Sequence, residues 1–326
     1  MKTHTREKIL AYIKEEGSVS SKDIAEHISI TRQALFKHLP KLLSDGMIQK
    51  AGRPPKVFYS LAKVKGNSQV LNKVDGATRR IINERYLYIT PRGEMLSGWD
   101  GFAAWARKTS QEPVKTAKEY VATLRRYDAF RKNGIIDGTK KMEATFQDFA
   151  LDALYYIDFY SIERFGKTKL GQMLLYAKQS QDKKIMKLIA ETMRPQAQRL
   201  IKKYHIDGVL FIPPTVKREV QFMRELEKNL RLPIRSLSVS KVKTPIIVPQ
   251  KTLSKLSDRV ENARETIAVE EKGAFKNILI IDDAVGSGAT LNETAKKILK
   301  KGLCGGKIIG LVITGSFKGF DVISEV

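Results

Sequence analysis

Near its C-terminal end the chain carries four apolar residues in succession, Ile278-Leu279-Ile280-Ile281. Such a run predicts a strand buried on both faces, as in a parallel sheet. Two aspartates end the run, a loop of small residues and hydroxyls follows, and helical periodicity resumes from Leu291 to Lys301. Upstream, Asp207 to Thr215 predicts a buried strand stopped by two prolines. Residues 216–230 predict a helix and Ile234 to Val239 another strand. A long polar stretch spans roughly 240–275, and Lys307 to Ile313 predicts a last strand. Apolar strands alternating with helices predict an α/β fold with a parallel sheet.

The first sixty residues have a different pattern. Ile9, Leu10 and Ile13 form one helical stripe, with Thr3 or Thr5 as its cap. Ile24, Ala25 and Ile28 form a second stripe behind a Ser21 cap. Ala34, Leu35, Leu39, Leu42 and Leu43 form a third behind Thr31, with Pro40 placed to kink or interrupt it. Met47–Lys50 and Val57–Leu61 then read as strands joined by a basic Gly/Pro tip, a hairpin. Three helices and a basic hairpin resemble the winged helix-turn-helix domains of bacterial and archaeal regulators. Gly52-Arg53-Pro54-Pro55-Lys56-Val57-Phe58-Tyr59-Ser60-Leu61 resembles their wing.

Between these regions the pattern is less regular. Residues 62–80 read as a polar, basic linker, and Tyr86–Thr90 as a short strand stopped by Pro91. Trp99, Phe102 and Trp105 form a compact aromatic group, expected to be a satellite core. Val114–Arg131 and Met142–Phe165 have helical spacing. The expected organisation is residues 1–66 as a winged-helix DNA-binding domain, 67–165 as a mainly helical middle region, and 166–326 as the α/β domain.

Charge adds a partner. The chain has 326 residues, a formal charge of +24 and a pI of about 9.9, which argues for a polyanion and first for nucleic acid. Residues 1–80 alone hold sixteen Lys/Arg against seven Asp/Glu, net +9. A helix docked in the major groove reads bases near its N-terminus. Arg32 and Gln33 are therefore the expected base readers, since Arg suits guanine and Gln adenine. Thr31, Lys37, Arg53 and Lys56 are placed for phosphates. A single cysteine, Cys304, excludes an intramolecular disulfide and a cysteine-cluster metal site. The four histidines have no ligand spacing. The N-terminus is no signal peptide, and no apolar run approaches the ~18 residues of a membrane span. A cytoplasmic protein is expected.

The chemistry centres on Asp282-Asp283-Ala284-Val285-Gly286-Ser287-Gly288-Ala289-Thr290. A small-residue loop at a helix N-terminus offers unpaired N–H groups and the positive end of the helix dipole to an anion. Ser287 and Thr290 add hydroxyl donors. Asp282 and Asp283 suit sugar hydroxyls or a hydrated Mg²⁺ rather than phosphate. Phosphate, diol and metal together describe a ribose 5-phosphate. No lysine follows the glycines, against a P-loop, and the third glycine of a dinucleotide fingerprint is missing. The stretch resembles the type I phosphoribosyltransferase motif, with Gly286 where threonine is commoner. Residues ~166–315 resemble the ComF-type branch: Leu175-Tyr176-Ala177-Lys178, Ile212-Pro213-Pro214-Thr215-Val216-Lys217-Arg218, and Gln250-Lys251-Thr252-Leu253-Ser254 with Arg259 and Asn262 carry the likeness.

That resemblance implies phosphoribosyl pyrophosphate (PRPP) or a nucleotide as ligand. Mg²⁺ would be brought by the ligand near Asp282 and Asp283, with no direct protein ligation. Thr215, Lys217 and Arg218 become pyrophosphate candidates, Lys251 and Arg259 loop candidates, and Asp282 and Asp283 the catalytic pair if the site turns over. Phe317 and Phe320 would either stack on a base or pack. The whole architecture resembles the purine-operon repressors, which implies a DNA-binding regulator that senses its ligand, and a homodimer is expected because winged-helix regulators usually read paired half-sites. A working phosphoribosyltransferase and a ComF-like DNA-handling protein remain alternatives, because sensor and enzyme need the same cradle.

Overall fold

A computed structural model describes residues 2–62, 74–242 and 244–316, apart from the side chains of residues 2–4 and Lys251. Phe317 and Phe320 lie outside the described residues. The chain forms two compact units, Met1–Lys73 and Val74–Val326.

The first unit runs α1 (Lys2–Glu16), β1 (Val19–Ser20), α2 (Ser21–His27), α3 (Arg32–Ser44), β2 (Ile48–Arg53) and β3 (Lys56–Leu61), with strand order β1-β3-β2. Its core is the expected stripe set, with Ile9, Ile13, Ile24, Leu35, Leu39 and Leu42 almost wholly buried. Three local expectations change. α1 starts before Thr3 and Thr5, so neither caps it. The cap of α2 is Ser20, not Ser21: Ser20 and Asp23 form a reciprocal capping box, satisfying two orphan donors at once. Pro40 lies inside α3 without ending it. Thr31 caps α3 as expected, its hydroxyl accepting from the Ala34 N–H at 3.2 Å.

The second unit begins with α4 (Gly76–Arg85), a hairpin of β4 (Leu87–Ile89) and β5 (Met95–Ser97), then α5 (Gly98–Lys108) and α6 (Pro113–Asp128). The aromatic group is a satellite core: Tyr86, Phe102, Trp105, Tyr120 and Phe165 pack with ring centroids between 5.0 and 6.1 Å apart. Next come β6 (Arg131–Lys132), β7 (Ile135–Asp137), α7 (Thr139–Thr145), β8 (Ala153–Phe159), α8 (Lys169–Ser180), α9 (Lys183–Tyr204), β9 (Gly208–Phe211), α10 (Phe222–Leu230) and β10 (Arg235–Ser236). The unit closes with β11 (Val239–Lys241), α11 (Leu256–Thr266), β12 (Ile267–Val269), β13 (Ile278–Val285), α12 (Ala289–Lys300) and β14 (Ile308–Gly315).

Seven strands form one sheet, ordered β10-β9-β13-β14-β8-β7-β6. The first five are parallel, and β7 and β6 extend the edge antiparallel. The helix read across Met142–Phe165 is therefore a correction: its heart, Ala153–Phe159, is a sheet strand beside β14. All but one of its residues are buried, so the aromatic and branched side chains pack into both helix layers. Their helical spacing was the coincidence of a near-continuous apolar run. The polar stretch around 240–275 also holds structure: β11 and β12 pair antiparallel, with α11 between them in sequence.

The crossovers set the site. β9 connects to β10 on one side, and β13 to β14 on the other. Right-handed crossovers in opposite directions put their helices on opposite faces. Accordingly, α10 joins α8 and α9 in one apolar cluster against the sheet, while α12 packs with α11 and β12. The chain thus diverges at the carboxyl ends of β9 and β13, the kind of switch point where open α/β sheets bind ligands.

Phe102→Ala should destabilise the second unit by about 3–5 kcal/mol, the usual loss for a buried phenylalanine. Urea unfolding would show it. A loss under 1 kcal/mol would mean the aromatic group is not core.

Candidate functional site

A cavity of about 230 Å³ opens at that switch point. All nine residues from Asp282 to Thr290 line it. β13 runs further than expected, through the acidic pair to Val285, because β14 continues to Gly315 and pairs with it. The turn proper is only Gly286-Ser287-Gly288, and Ala289 opens α12. Gly288 has φ +81°, and a Cβ there would lie 2.5 Å from the Met142 sulfur. The left-handed backbone favours glycine there, and the Met142 side chain of α7 packs against it. The buried Ser287 hydroxyl accepts from the Ala289 N–H at 3.3 Å, leaving later first-turn N–H groups of α12 facing the loop.

The acidic pair is less of a pair than its spelling suggests. Successive strand residues point to opposite faces. Asp283 shares a face with Ile281, which belongs to the α8–α9–α10 cluster. Its carboxylate accepts from the Lys178 ammonium of α8 at 2.7 Å. Asp282 faces the other layer, where Lys241 at the end of β11 also lines the cavity and favours its charged form. The Asp282 carboxylate accepts from the Asp283 N–H at 2.8 Å. Burial first, and the Asp283 charge second, push the Asp282 carboxyl up to about 8. Burial pushes the Lys241 ammonium down, and Asp282 partly offsets this.

Of the residues proposed for pyrophosphate, Thr215 and Arg218 line the cavity. Lys217 between them is exposed and does not. Arg259 of α11 lines it with only 4% of its surface exposed. Its Nε donates to the Leu253 carbonyl at 2.8 Å, and its Nη2 is buried with no hydrogen-bond partner among the described residues. The side chain of Lys251 lies outside the described residues; its backbone sits in the short turn Gln250–Thr252. The Gln250 amide braces this turn, donating to the Arg259 carbonyl and the Asn262 side chain. Sequence reading missed two cavity lysines. Lys178 stood in a quoted segment without a role, and Lys241 lay in what read as polar loop.

The two carboxylates are the acidic donors a Mg²⁺ ion would use here, and Asp283 is already paired with the Lys178 ammonium. This donor set does not fit direct ligation of Mg²⁺ by the pair. Among the described residues no group of three or more His, Cys, Asp or Glu is placed to hold a metal.

In the first unit, Arg32, Gln33 and Lys37 are exposed on α3, Thr31 is exposed at its N-cap, and Arg53 and Lys56 are exposed on the hairpin. Phe36 stands among them, 51% exposed, one turn from Arg32. Sequence reading passed over it because no apolar stripe includes it.

Residues 2–49 match the winged helix-turn-helix DNA-binding family. No curated protein matches the chain. Among solved structures, a hypoxanthine phosphoribosyltransferase from Staphylococcus aureus is similar over 43% of this chain and 80% of its own, at 14% identity and a TM-score of 0.24. So low a score leaves the fold to be read from the strand order itself. No helix among the described residues is long and apolar enough to cross a membrane.

Asp282 gives a stability prediction for the ligand-free protein. A carboxyl with a raised folded-state pKa binds a proton that the unfolded chain has already released, so it costs stability as pH rises between its ordinary value and about 8. Asp282→Asn should therefore gain thermal stability relative to wild type on going from pH 4 to pH 8. An equal melting difference at both ends of that range would contradict the assignment. The chain carries at its start a winged helix-turn-helix domain of the DNA-binding type.

Proposed function

We propose that the protein is a DNA-binding transcriptional regulator whose second unit binds PRPP or a nucleotide as effector. One observation carries the reading. The sugar-phosphate motif, Asp282 to Thr290, converges with Thr215, Arg218 and Arg259 on a single cavity at the sheet's switch point, in a chain that begins with a winged helix. The α12 N-terminus and hydroxyls suit the 5′-phosphate, and the carboxylates suit the ribose diol. Arg218 and Arg259 line the same cavity and suit further phosphate charge.

On DNA, α3 enters the major groove. Arg32 and Gln33 read base edges, and the exposed Phe36 suits a thymine methyl. Arg53 and Lys56 hold backbone phosphates from the wing, with Thr31 and Lys37 beside the groove. A homodimer fits this reading, because winged-helix regulators usually bind paired half-sites.

The test separates the two units. Arg32→Ala should weaken binding to the preferred DNA by about 1–3 kcal/mol and relax its specificity, while ligand-induced thermal shifts stay as in wild type. Asp282→Asn with Asp283→Asn should abolish the thermal shift from PRPP or nucleotide and leave DNA affinity intact. Lys56→Ala should weaken binding to all sequences alike and lower the salt slope by about 1. Equal affinity for every DNA, insensitive to these ligands, would sink the regulator reading. Pyrophosphate release from PRPP with a nucleobase would make the protein a transferase instead.

A further inference from the structure

Two lysines meet the acidic pair from opposite layers of the fold. Lys178, in the last turn of α8, donates to Asp283 at 2.7 Å, and both side chains are about four-fifths buried. Lys241, at the end of β11, reaches the same cavity from the other side of β13 and interacts with Asp282. Neither lysine has been assigned a role by the effector reading above. We propose that Lys178 and Lys241 supply the charge compensation at this cavity, so that it takes a phosphorylated ribose as the free anion, without a divalent cation. The inference rests on the effector reading and narrows it.

Three observations support it. First, strand alternation turns Asp282 and Asp283 toward opposite faces, and Asp283 is already paired with Lys178. A metal placed against the Asp283 carboxylate would also sit beside the Lys178 ammonium and be repelled. Second, among the described residues the charged side chains lining the cavity are Lys178, Lys241, Arg218 and Arg259 against Asp282 and Asp283, an excess of cations even with both carboxylates ionised. A phosphate monoester, at about −1.5 to −2 near neutral pH, meets that excess without a metal. Third, Arg259 lines the cavity almost wholly buried, and its Nη2 has no hydrogen-bond partner among the described residues. Mg²⁺ carried in by the ligand, as the phosphoribosyltransferase resemblance implies, would add to this cation excess rather than offset it.

The experiment uses the full-length protein with ribose 5-phosphate, AMP and PRPP as probes. Each is titrated by thermal shift and calorimetry, once in excess EDTA and once in millimolar MgCl₂. The expected result is that at least one probe binds in EDTA, with a dissociation constant within about twofold of that in Mg²⁺. Lys178→Met and Lys241→Met should each weaken that metal-free binding at least about tenfold. Lys178→Arg, which keeps the charge, should retain most of it and so separates charge from misfolding. Binding by wild type only in Mg²⁺ overturns the proposal and leaves the effector reading standing. Metal-free binding unchanged in both methionine variants also overturns it. No binding by any probe in either medium removes the effector reading, and the proposal with it.

Discussion

Strand β13 is hydrogen-bonded to β9 on one side and to β14 on the other, and its first four residues are fully buried. Everything at the cavity depends on that double pairing. It leaves no edge for the strand to slip along, so the register of Asp282 against Val312 is set by the burial of Ile278 to Ile281. A one-residue slip would turn four core side chains into the wrong layer and carry both aspartates with them. The same pairing places the carboxyl end of β13 beside that of β9, where the connections part to opposite faces. The cavity and its polar residues lie where the connections to α10 and α12 part.

Electrostatics follow from this frame. Polar residues at the end of a buried strand lose water on both sides, and a carboxylate so placed must find a cation or keep its proton. Asp283 finds Lys178, while Asp282 is held high by burial and by its neighbour. Lys241 and Arg259 come from the β11–α11–β12 excursion, which thereby contributes cations to a cavity whose acidic groups come from the sheet. The site is thus assembled across two layers, and an anionic ligand would join them. In the first unit the logic is simpler. An apolar stripe on α3 is spent on the core, and its opposite face is left with Arg32, Gln33, Phe36 and Lys37 in water.

Much of this was legible in the residues. The three stripes of the first unit, the basic hairpin and the cap at Thr31 all appear as read, because short helices with strict periodicity leave few alternatives. The strand–loop–helix at Ile278 to Lys300 was also plain: a four-residue apolar run, two glycines and a periodic helix each say one thing. The reading failed at Ala153–Phe159, where a continuous apolar and aromatic run fits both periods and only its neighbours decide. It failed again around Lys241, since a three-residue strand in a polar stretch has no signature of its own.

The sequence by itself determined which residues could do the chemistry: a loop that admits an anion, two carboxylates, and a set of scattered cations. It also determined the order of the strands in the chain and the separate apolar core of the first unit, because both follow from local periodicity. Which cations meet which carboxylate was decided only by the tertiary structure. Lys178 lies 105 positions from Asp283 along the chain, and no local pattern links them. The link comes from strand alternation, which aims adjacent aspartates apart, and from the crossovers, which bring a different helix layer to each face.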